Sequence, residues 1–502
     1  MHRQSHRGGI RHYIGGKFVS GISGQSFDDI NPSNNSVICR VAEGLAEDID
    51  LAVSAARRAF EAGGWRSMQA GDRSQLLLRV SELILERAED LALAETLDTG
   101  IPLRQTRGQM QRAAENFSFF ASVIPRLEGE LFPSGSSFLN YTLKSPVGVA
   151  GLITPWNTPL MLETWKVAPC LAAGNTCVLK PAEWSPLTAS LLAEIMRDAE
   201  IPPGVFNTVN GYGETAGAAL VAHPAVRLIS FTGETSTGRE IIRNGASTLK
   251  RFSMELGGKS PAVVFDDADL GRALDATVFG GFSLNGERCT ANSRLLVQES
   301  IYGEFTDSFA ERAENIVTGD PFDENTELGP LIHPDHWKRV NSYIAAGKAE
   351  GAKIAAGGGR PGKQKAGNYM DATLMVNVRS TMKVAQEEIF GPVVVAIPFS
   401  DEREAVALAN DTQYGLASYI WTASSERANR VAASIESGLC WINSHNVRDL
   451  RTPFGGAKNS GIGREGGVYS FDFYMEEKTV HMKLDGSPAP VMGAVNKGRS
   501  KK

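Results

Sequence analysis

The chain is poor in the residues that build the simplest functional frames. Its five cysteines, Cys39, Cys170, Cys177, Cys289 and Cys440, are odd in number and contain no C-x-x-C pair, so neither a disulfide frame nor a zinc ribbon is expected. The eight histidines contain no H-E-x-x-H, and no metal site is expected. His333 and His336 flank Pro334 and Asp335 in what reads as a surface turn. No run of about 20 apolar residues occurs, which excludes an ordinary membrane span. A net charge of −6 leaves no general basic field for nucleic acid or an anionic membrane. The opening "MHRQSHRGGIRH" is basic but no apolar stretch follows, so a secretory signal is not expected, and the closing "NKGRSKK" reads as a frayed tail. The compartment expected from this cysteine usage is reducing and cytoplasmic.

What is present is ordinary globular composition, 42% hydrophobic and 22% charged, in 502 residues, enough for two or three domains with substantial cores. "HYIGGKFVS" reads as a short strand region. "DIDLAVSAARRAFEAGGW" and "DRSQLLLRVSELILERAEDLALAETLDTG" carry apolar residues at helical spacing and end at glycines. From residue 147 short apolar runs ("VGVAGLIT", "TCVLKP", "VFNTVNG", "RLISFTG", "AVVF") alternate with helical segments, the pattern of βαβ units and a parallel sheet. A second α/β cycle runs from Asp269 through "SRLLVQ" to "GLCWINS". "SSFLNYTLKSP" and "YMEEKTVHMKL" read as strands outside either core, with edges that need a partner.

Several segments carry chemical signals. "SFTGETSTG" ends a strand at Thr232-Gly233 and opens a helix near Ser236; such an N-terminus suits a pyrophosphate or is simply a capped helix. "GYGETAG", 211–217, reads as a turn before a helix. In "VLKPAEWSP", Lys180 and Glu183 either hold an adenosine ribose at a strand's carboxyl end or form a surface ion pair. Asn157, between two prolines in "ITPWNTP", can donate to an oxyanion. Glu255 stands at a strand end before a glycine pair that gives it room to move. Cys289, in "FSLNGERCTANSR", follows Arg288 in a polar run, where a cation and backbone N–H groups favour the thiolate. The other four cysteines have core settings.

Together these segments resemble the NAD(P)-dependent aldehyde dehydrogenases, from "HYIGGKFV" to "EEKTV". The motifs "PWN", "KPAE", "FTG", "MELGGK", "NGERC", "EEIFGPV" and "PFGGAKNSGIGRE" occur in the family's order, with glutamate and cysteine 289 − 255 = 34 residues apart. The resemblance implies an α/β fold, aldehyde dehydrogenase-like, with two Rossmann-type parallel-sheet domains and a small β oligomerisation element. Residues 1–256 would bind NAD, with oligomerisation strands near 125–146; residues 257–445 would be catalytic; 446–502 would return with a further oligomerisation strand and the tail. Cys289 is implied as nucleophile, Glu255 as general base, and Asn157 with the Cys289 N–H as oxyanion hole. Thr154, Pro155, Trp156, Lys180, Glu183, Gly213, Phe231, Gly233, Ser236, Leu256, Gly257, Glu388 and Phe390 are implied at the cofactor. A carboxylate at 183 would repel a 2′-phosphate, favouring NAD over NADP. Many relatives have serine where this chain has Glu234, so that side chain is expected to point away from the pyrophosphate.

Within the family the chain is most similar to the 5-carboxymethyl-2-hydroxymuconate-semialdehyde dehydrogenases of aromatic-acid breakdown, through "NYTL", "TWKVAPCLA", "LNGERCTA" and "NVRDLR". Trp165 and the region around Asn443 would line the substrate funnel. Arg448 and Arg451 either bind a substrate carboxylate or brace their loop through Asp449. The rival readings are another aldehyde dehydrogenase, for 2-hydroxymuconic semialdehyde or betaine aldehyde, and a non-catalytic relative. A small-molecule aldehyde partner and a homodimer or homotetramer are expected.

Overall fold

A computed structural model of the protein describes residues 9–364, 366–486 and 489–493. Residues 1–8 of the basic opening and the whole run 496–502 lie outside them. In the first sheet the strands Phe206–Thr208, Thr176–Lys180, Val149–Ile153, Val226–Thr232 and Arg251–Glu255 lie side by side and parallel. They are unbroken apolar runs because both faces are covered. Leu152 and Leu179 pack in one core cluster with the helices Ala70–Glu86 and Leu103–Val123, while their chain neighbours Ile153 and Val178 pack in another with the helix Ala46–Glu61. Order reverses between Val149–Ile153 and Val226–Thr232, the place where an open α/β sheet forms its ligand crevice. The hairpin His12–Ile14/Lys17–Val19 extends one edge, and Gly461–Ile462 returns to pair antiparallel with Arg251–Glu255 at the other.

The second sheet holds Thr373–Val376, Val393–Phe399, Arg294–Gln298, Pro261–Val264, Ala417–Trp421 and Leu439–Ile442 in parallel, with Lys353–Ala356 antiparallel at one edge. Its strands' amino ends face the carboxyl ends of the first sheet. Trp156, Thr232 and Gly233 from the first accordingly share one cleft with Cys289, Glu388 and Phe390 from the second. A small antiparallel sheet stands apart. There Met475–Lys483 pairs along its whole length with Phe138–Pro146, and Leu131–Pro133 adds a third strand. Leu131, Phe132, Phe138 and Leu143 are exposed on it.

Two local readings change. The long helical stretch after Asp72 breaks at Arg87 into Ala70–Glu86 and Ala88–Thr99, and ends where Gly100 takes a left-handed φ of 75°. A Cβ at Gly100 would lie 2.6 Å from the Pro330 carbonyl oxygen, so glycine is required there. The segment around His333 is not a loop. His333 caps the helix Pro334–Ala349, its ring accepting from the Asp335 N–H at 3.2 Å, with proline at the first turn. No helix among the described residues is long and apolar enough to cross a membrane.

Candidate active site

Cys289 lies in the loop joining the helix Leu270–Phe282 to the strand Arg294–Gln298. The loop leaves the helix through Leu284 and Asn285, whose φ values of 53° and 58° are costly for residues with side chains. Hydrogen bonds hold it there. Asn285 donates to the carbonyls of Gly100 (3.3 Å) and Pro330 (3.0 Å) and accepts from the Gly329 N–H (2.8 Å). Glu287 Oε1 accepts from the Ile332 N–H at 3.1 Å, and the Tyr419 hydroxyl donates to the Thr290 carbonyl at 2.6 Å. From the first sheet, Asn157 Nδ2 donates to the Glu287 carbonyl at 2.8 Å. An amide nitrogen carries two N–H groups, and among the described residues the second finds no acceptor. Phe390, Asn443 and Asn446, in the other segments around the site, also hold positive φ.

Burial dominates the electrostatics. The Cys289 thiol is pushed up to about 12, first by desolvation and then by the carboxyls of Glu388 and Glu255. The Arg288 guanidinium pulls the other way but does not win, so the expected thiolate is not what this cofactor-free arrangement favours. Glu255 ends its strand with both carboxyl oxygens buried and unpartnered among the described residues. Desolvation first, then Glu465, holds it well above the usual carboxylate range. The glycine pair that follows acts by close approach, not by a left-handed turn, since neither glycine has positive φ. A Cβ on Gly257 would meet Glu388 Oε2 at 2.2 Å, and the Gly258 N–H donates to Glu388 Oε1 at 2.8 Å. Beneath Glu255 lies a buried pair that sequence reading missed. Lys166 Nζ contacts Glu465 Oε1 at 2.9 Å, and Ser230 and Ser253 donate to the same oxygen. Their spacing in the chain hides them, although a lysine inside the apolar "TWKVAP" was a signal.

On one side of Cys289 runs a groove. Its outer part, about 440 Å³, is lined by Thr154, Pro155, Trp156, Lys180, Glu183, Gly213, Phe231 and Gly233. Lys180 Nζ meets Glu183 Oε2 at 2.9 Å on its floor. The inner part shares Pro155, Trp156, Thr232, Gly233 and Glu234 with it and continues past Leu256, Gly257, Glu388 and Phe390 to Cys289. Ser236 does not line it; the helix begins at Thr235, which turns Ser236 to solvent and puts Thr237 on the groove. Glu234 does not turn away. It lines both parts, and its charge acts on Arg339, Glu388 and Tyr414. The Thr154 and Thr232 hydroxyls are buried without a partner among the described residues, which fits an extended polar ligand in the groove. No group of three or more His, Cys, Asp or Glu able to hold a metal ion occurs among the described residues.

On the other side a tunnel of about 110 Å³ reaches Cys289, with Asn157, Trp165, Glu255 and Arg448 among its walls. The Arg448 guanidinium lies 4.0 Å from the Trp165 ring centroid, and its Nε is buried without a partner. Desolvation pulls it down to about 10. Arg112, from the helix Leu103–Val123, joins it there; nothing in that helix's mixed polar sequence marks it. Arg451 is not in the tunnel. Its side chain is 80% exposed and forked onto Asp449, the loop-brace alternative. Asn443 is not in the tunnel either, because both ends of its amide bond the backbone of Thr422; Asn446 and Val447 line it instead.

The aldehyde dehydrogenase family model matches residues 18–480, and the chain belongs to that family. It is 50% identical over 467 residues to the 5-carboxymethyl-2-hydroxymuconate semialdehyde dehydrogenase of Escherichia coli, covering 92% of this chain and 98% of that one. Among solved structures it resembles HpcC of Thermus thermophilus (53% identity, TM-score 0.95, covering 97% of this chain and 95% of that one). It also resembles the betaine aldehyde dehydrogenase of Staphylococcus aureus in complex with NAD+ (39% identity, TM-score 0.94, covering 97% of each). The protein is therefore an aldehyde-oxidising enzyme with an α/β fold.

The desolvated thiol gives a direct expectation. In the cofactor-free enzyme, alkylation of Cys289 by iodoacetamide should rise with pH through a midpoint well above the free-thiol value of about 8.5. Glu388→Gln, which removes the larger of the two carboxylate influences, should move that midpoint down. A wild-type midpoint at or below the free-thiol value would contradict the electrostatics described.

Proposed function

We propose that the enzyme oxidises an acidic semialdehyde, 5-carboxymethyl-2-hydroxymuconate semialdehyde or a close analogue, to the carboxylic acid with NAD. The observation that carries this is the meeting of two cavities at one sulfur. One is a groove for an extended polar ligand, and the other is a tunnel whose arginines have no acidic partner among the described residues. Lys180 and Glu183 would hold the adenosine ribose; the Glu183 carboxylate would repel a 2′-phosphate and favour NAD over NADP. Thr154, Pro155, Trp156, Gly213, Phe231, Gly233, Leu256 and Gly257 would frame the dinucleotide, with Glu388 and Phe390 at its nicotinamide end. When bound there, the cofactor supplies a hydride acceptor.

The chain's own residues do the rest. Cys289, once ionised, adds to the aldehyde carbon, and the second N–H of Asn157 with the Cys289 backbone N–H stabilises the oxyanion. Oxidation of that adduct leaves a thioester on Cys289. Glu255, unpartnered and on the tunnel wall, takes a proton from the water that hydrolyses it. A raised carboxyl affinity for protons suits a general base at neutral pH. In this scheme residues 1–256 hold the cofactor, 257–445 carry the nucleophile, and 446–502 return across both.

Arg448, stacked on Trp165 with an unpartnered Nε, and Arg112 would hold the carboxylate at the substrate's far end. The same charges disfavour a cationic substrate such as betaine aldehyde. Five cysteines that form no disulfide support a reducing, cytoplasmic setting. The open edge of Met475–Lys483, the exposed apolar residues beside it and the open edge of Leu439–Ile442 support a homodimer or homotetramer.

Two measurements check these points. Arg448→Ala should lower kcat/KM for an acidic semialdehyde by about 10- to 100-fold and affect a neutral aldehyde of similar size much less. Equal losses would remove carboxylate recognition from Arg448. Light scattering on the purified chain should give a mass of two or four copies, and replacing Leu131 and Leu143 by glutamate should reduce it. A monomeric wild type would contradict the assembly.

A further inference from the structure

We propose that Arg288 forms a second carboxylate subsite, which holds the carboxylate nearer the aldehyde when the substrate is a dianionic semialdehyde. This rests on the acidic-semialdehyde reading and assigns a residue to the second of its carboxylates. Arg288 is only 8% exposed. Its one polar partner among the described residues is the neutral Ser283 hydroxyl, to which Nη1 donates at 2.8 Å. A buried guanidinium facing no anion is costly, and that cost is relieved if a ligand brings the anion. Arg288 lines the tunnel and also the larger cavity of about 780 Å³ that adjoins it. It is next to Cys289 in the chain and shares the tunnel wall with it, which puts an anion held there toward the reacting end of the substrate.

The charges around it point the same way. Three arginines, Arg112, Arg288 and Arg448, line the tunnel. The acids beside them are engaged elsewhere: Glu465 with Lys166, Asp449 with Arg451. Burial holds the Glu255 carboxyl well above the usual carboxylate range. Glu465 and Glu115 act on Arg448 through space, and no ion pair to it occurs among the described residues. The Arg112 charge in turn depresses both Arg288 and Arg448. One distal carboxylate held by Arg448 and Arg112 would leave Arg288 uncompensated beside the nucleophile. A brace against Ser283 alone would not need a guanidinium, since an amide could make the same bond.

The test compares NADH formation from two semialdehydes that differ by one carboxylate, 5-carboxymethyl-2-hydroxymuconate semialdehyde and 2-hydroxymuconate semialdehyde. A neutral aldehyde of similar size is the third substrate. Wild-type kcat/KM should favour the dianion over the monoanion by about 10- to 100-fold. Arg288→Gln should bring that ratio close to one, and Arg288→Lys should retain part of it. A general effect of the substitution on Cys289 cancels in the ratio. A wild-type ratio near one, which needs no variant, overturns the proposal. So does an Arg288→Gln or Arg288→Lys enzyme whose ratio rises above that of the wild type, or an Arg288→Gln enzyme that keeps the wild-type ratio. A wild type that does not prefer the monoanion to the neutral aldehyde instead overturns the reading on which the proposal rests.

Discussion

The hydrogen bond from Asn157 to the Glu287 carbonyl joins the two sheets at the point where the chemistry is placed. Asn157 belongs to the loop that leaves the first sheet at its switch point, and Glu287 lies two residues before the sulfur. With that bond made, the Cys289 loop is held against the groove, and in the proposed scheme the same amide stands beside the reacting carbon. The loop's other restraints serve the same placement. Asn285 is tied to Gly100, Gly329 and Pro330, and the Glu287 carboxyl to Ile332. The positive φ angles at Leu284 and Asn285 persist because these bonds over-determine the local backbone. The constraint extends to Phe390, whose carbonyl accepts from His336 at 2.6 Å while the same ring nitrogen lies 3.6 Å from Glu287 Oε1.

Burial then sets what each group can do. The same desolvation raises the Cys289 thiol, the Glu255 carboxyl and Glu388, which reaches about 7. Burial thus acts on all three groups in the same sense, which restrains the reactivity of the sulfur. The tunnel differs in its charges: three arginines line it, and of its acids Glu465 is paired with Lys166 and Asp449 with Arg451. Asn157, Leu162, Thr232, Leu256 and Cys289 line both the tunnel and the inner groove, and Cys289 carries the one sulfur among them.

Much of this was legible in the sequence, for identifiable reasons. The parallel strands are short apolar runs because both faces are covered, and Asn157, Glu255 and Cys289 each stand in a compact motif. Pairings across long stretches of chain were not legible. Lys166 and Glu465 are 299 residues apart, and only the fold brings them together. The helix after His333 was missed although a capping histidine, a proline at the first turn and an early aspartate announced it. The sequence puts the region around Asn443 at the funnel and leaves Arg451 either on a substrate carboxylate or bracing its loop. A loop's sequence does not say which side chain turns inward, and here Asp449 and Thr422 hold those two elsewhere. Ser236 was displaced by a single step in the helix start, enough to rotate it to solvent.

The central claim is that one sulfur, facing both cavities, carries the substrate through a covalent state that Glu255 resolves. Mass spectrometry of Glu255→Gln, quenched shortly after mixing with NAD and an acidic semialdehyde, tests it most directly. The account predicts an acyl adduct that accumulates on the peptide containing Cys289. An unmodified Cys289 in a variant that still turns over, or an adduct on another cysteine, would contradict it.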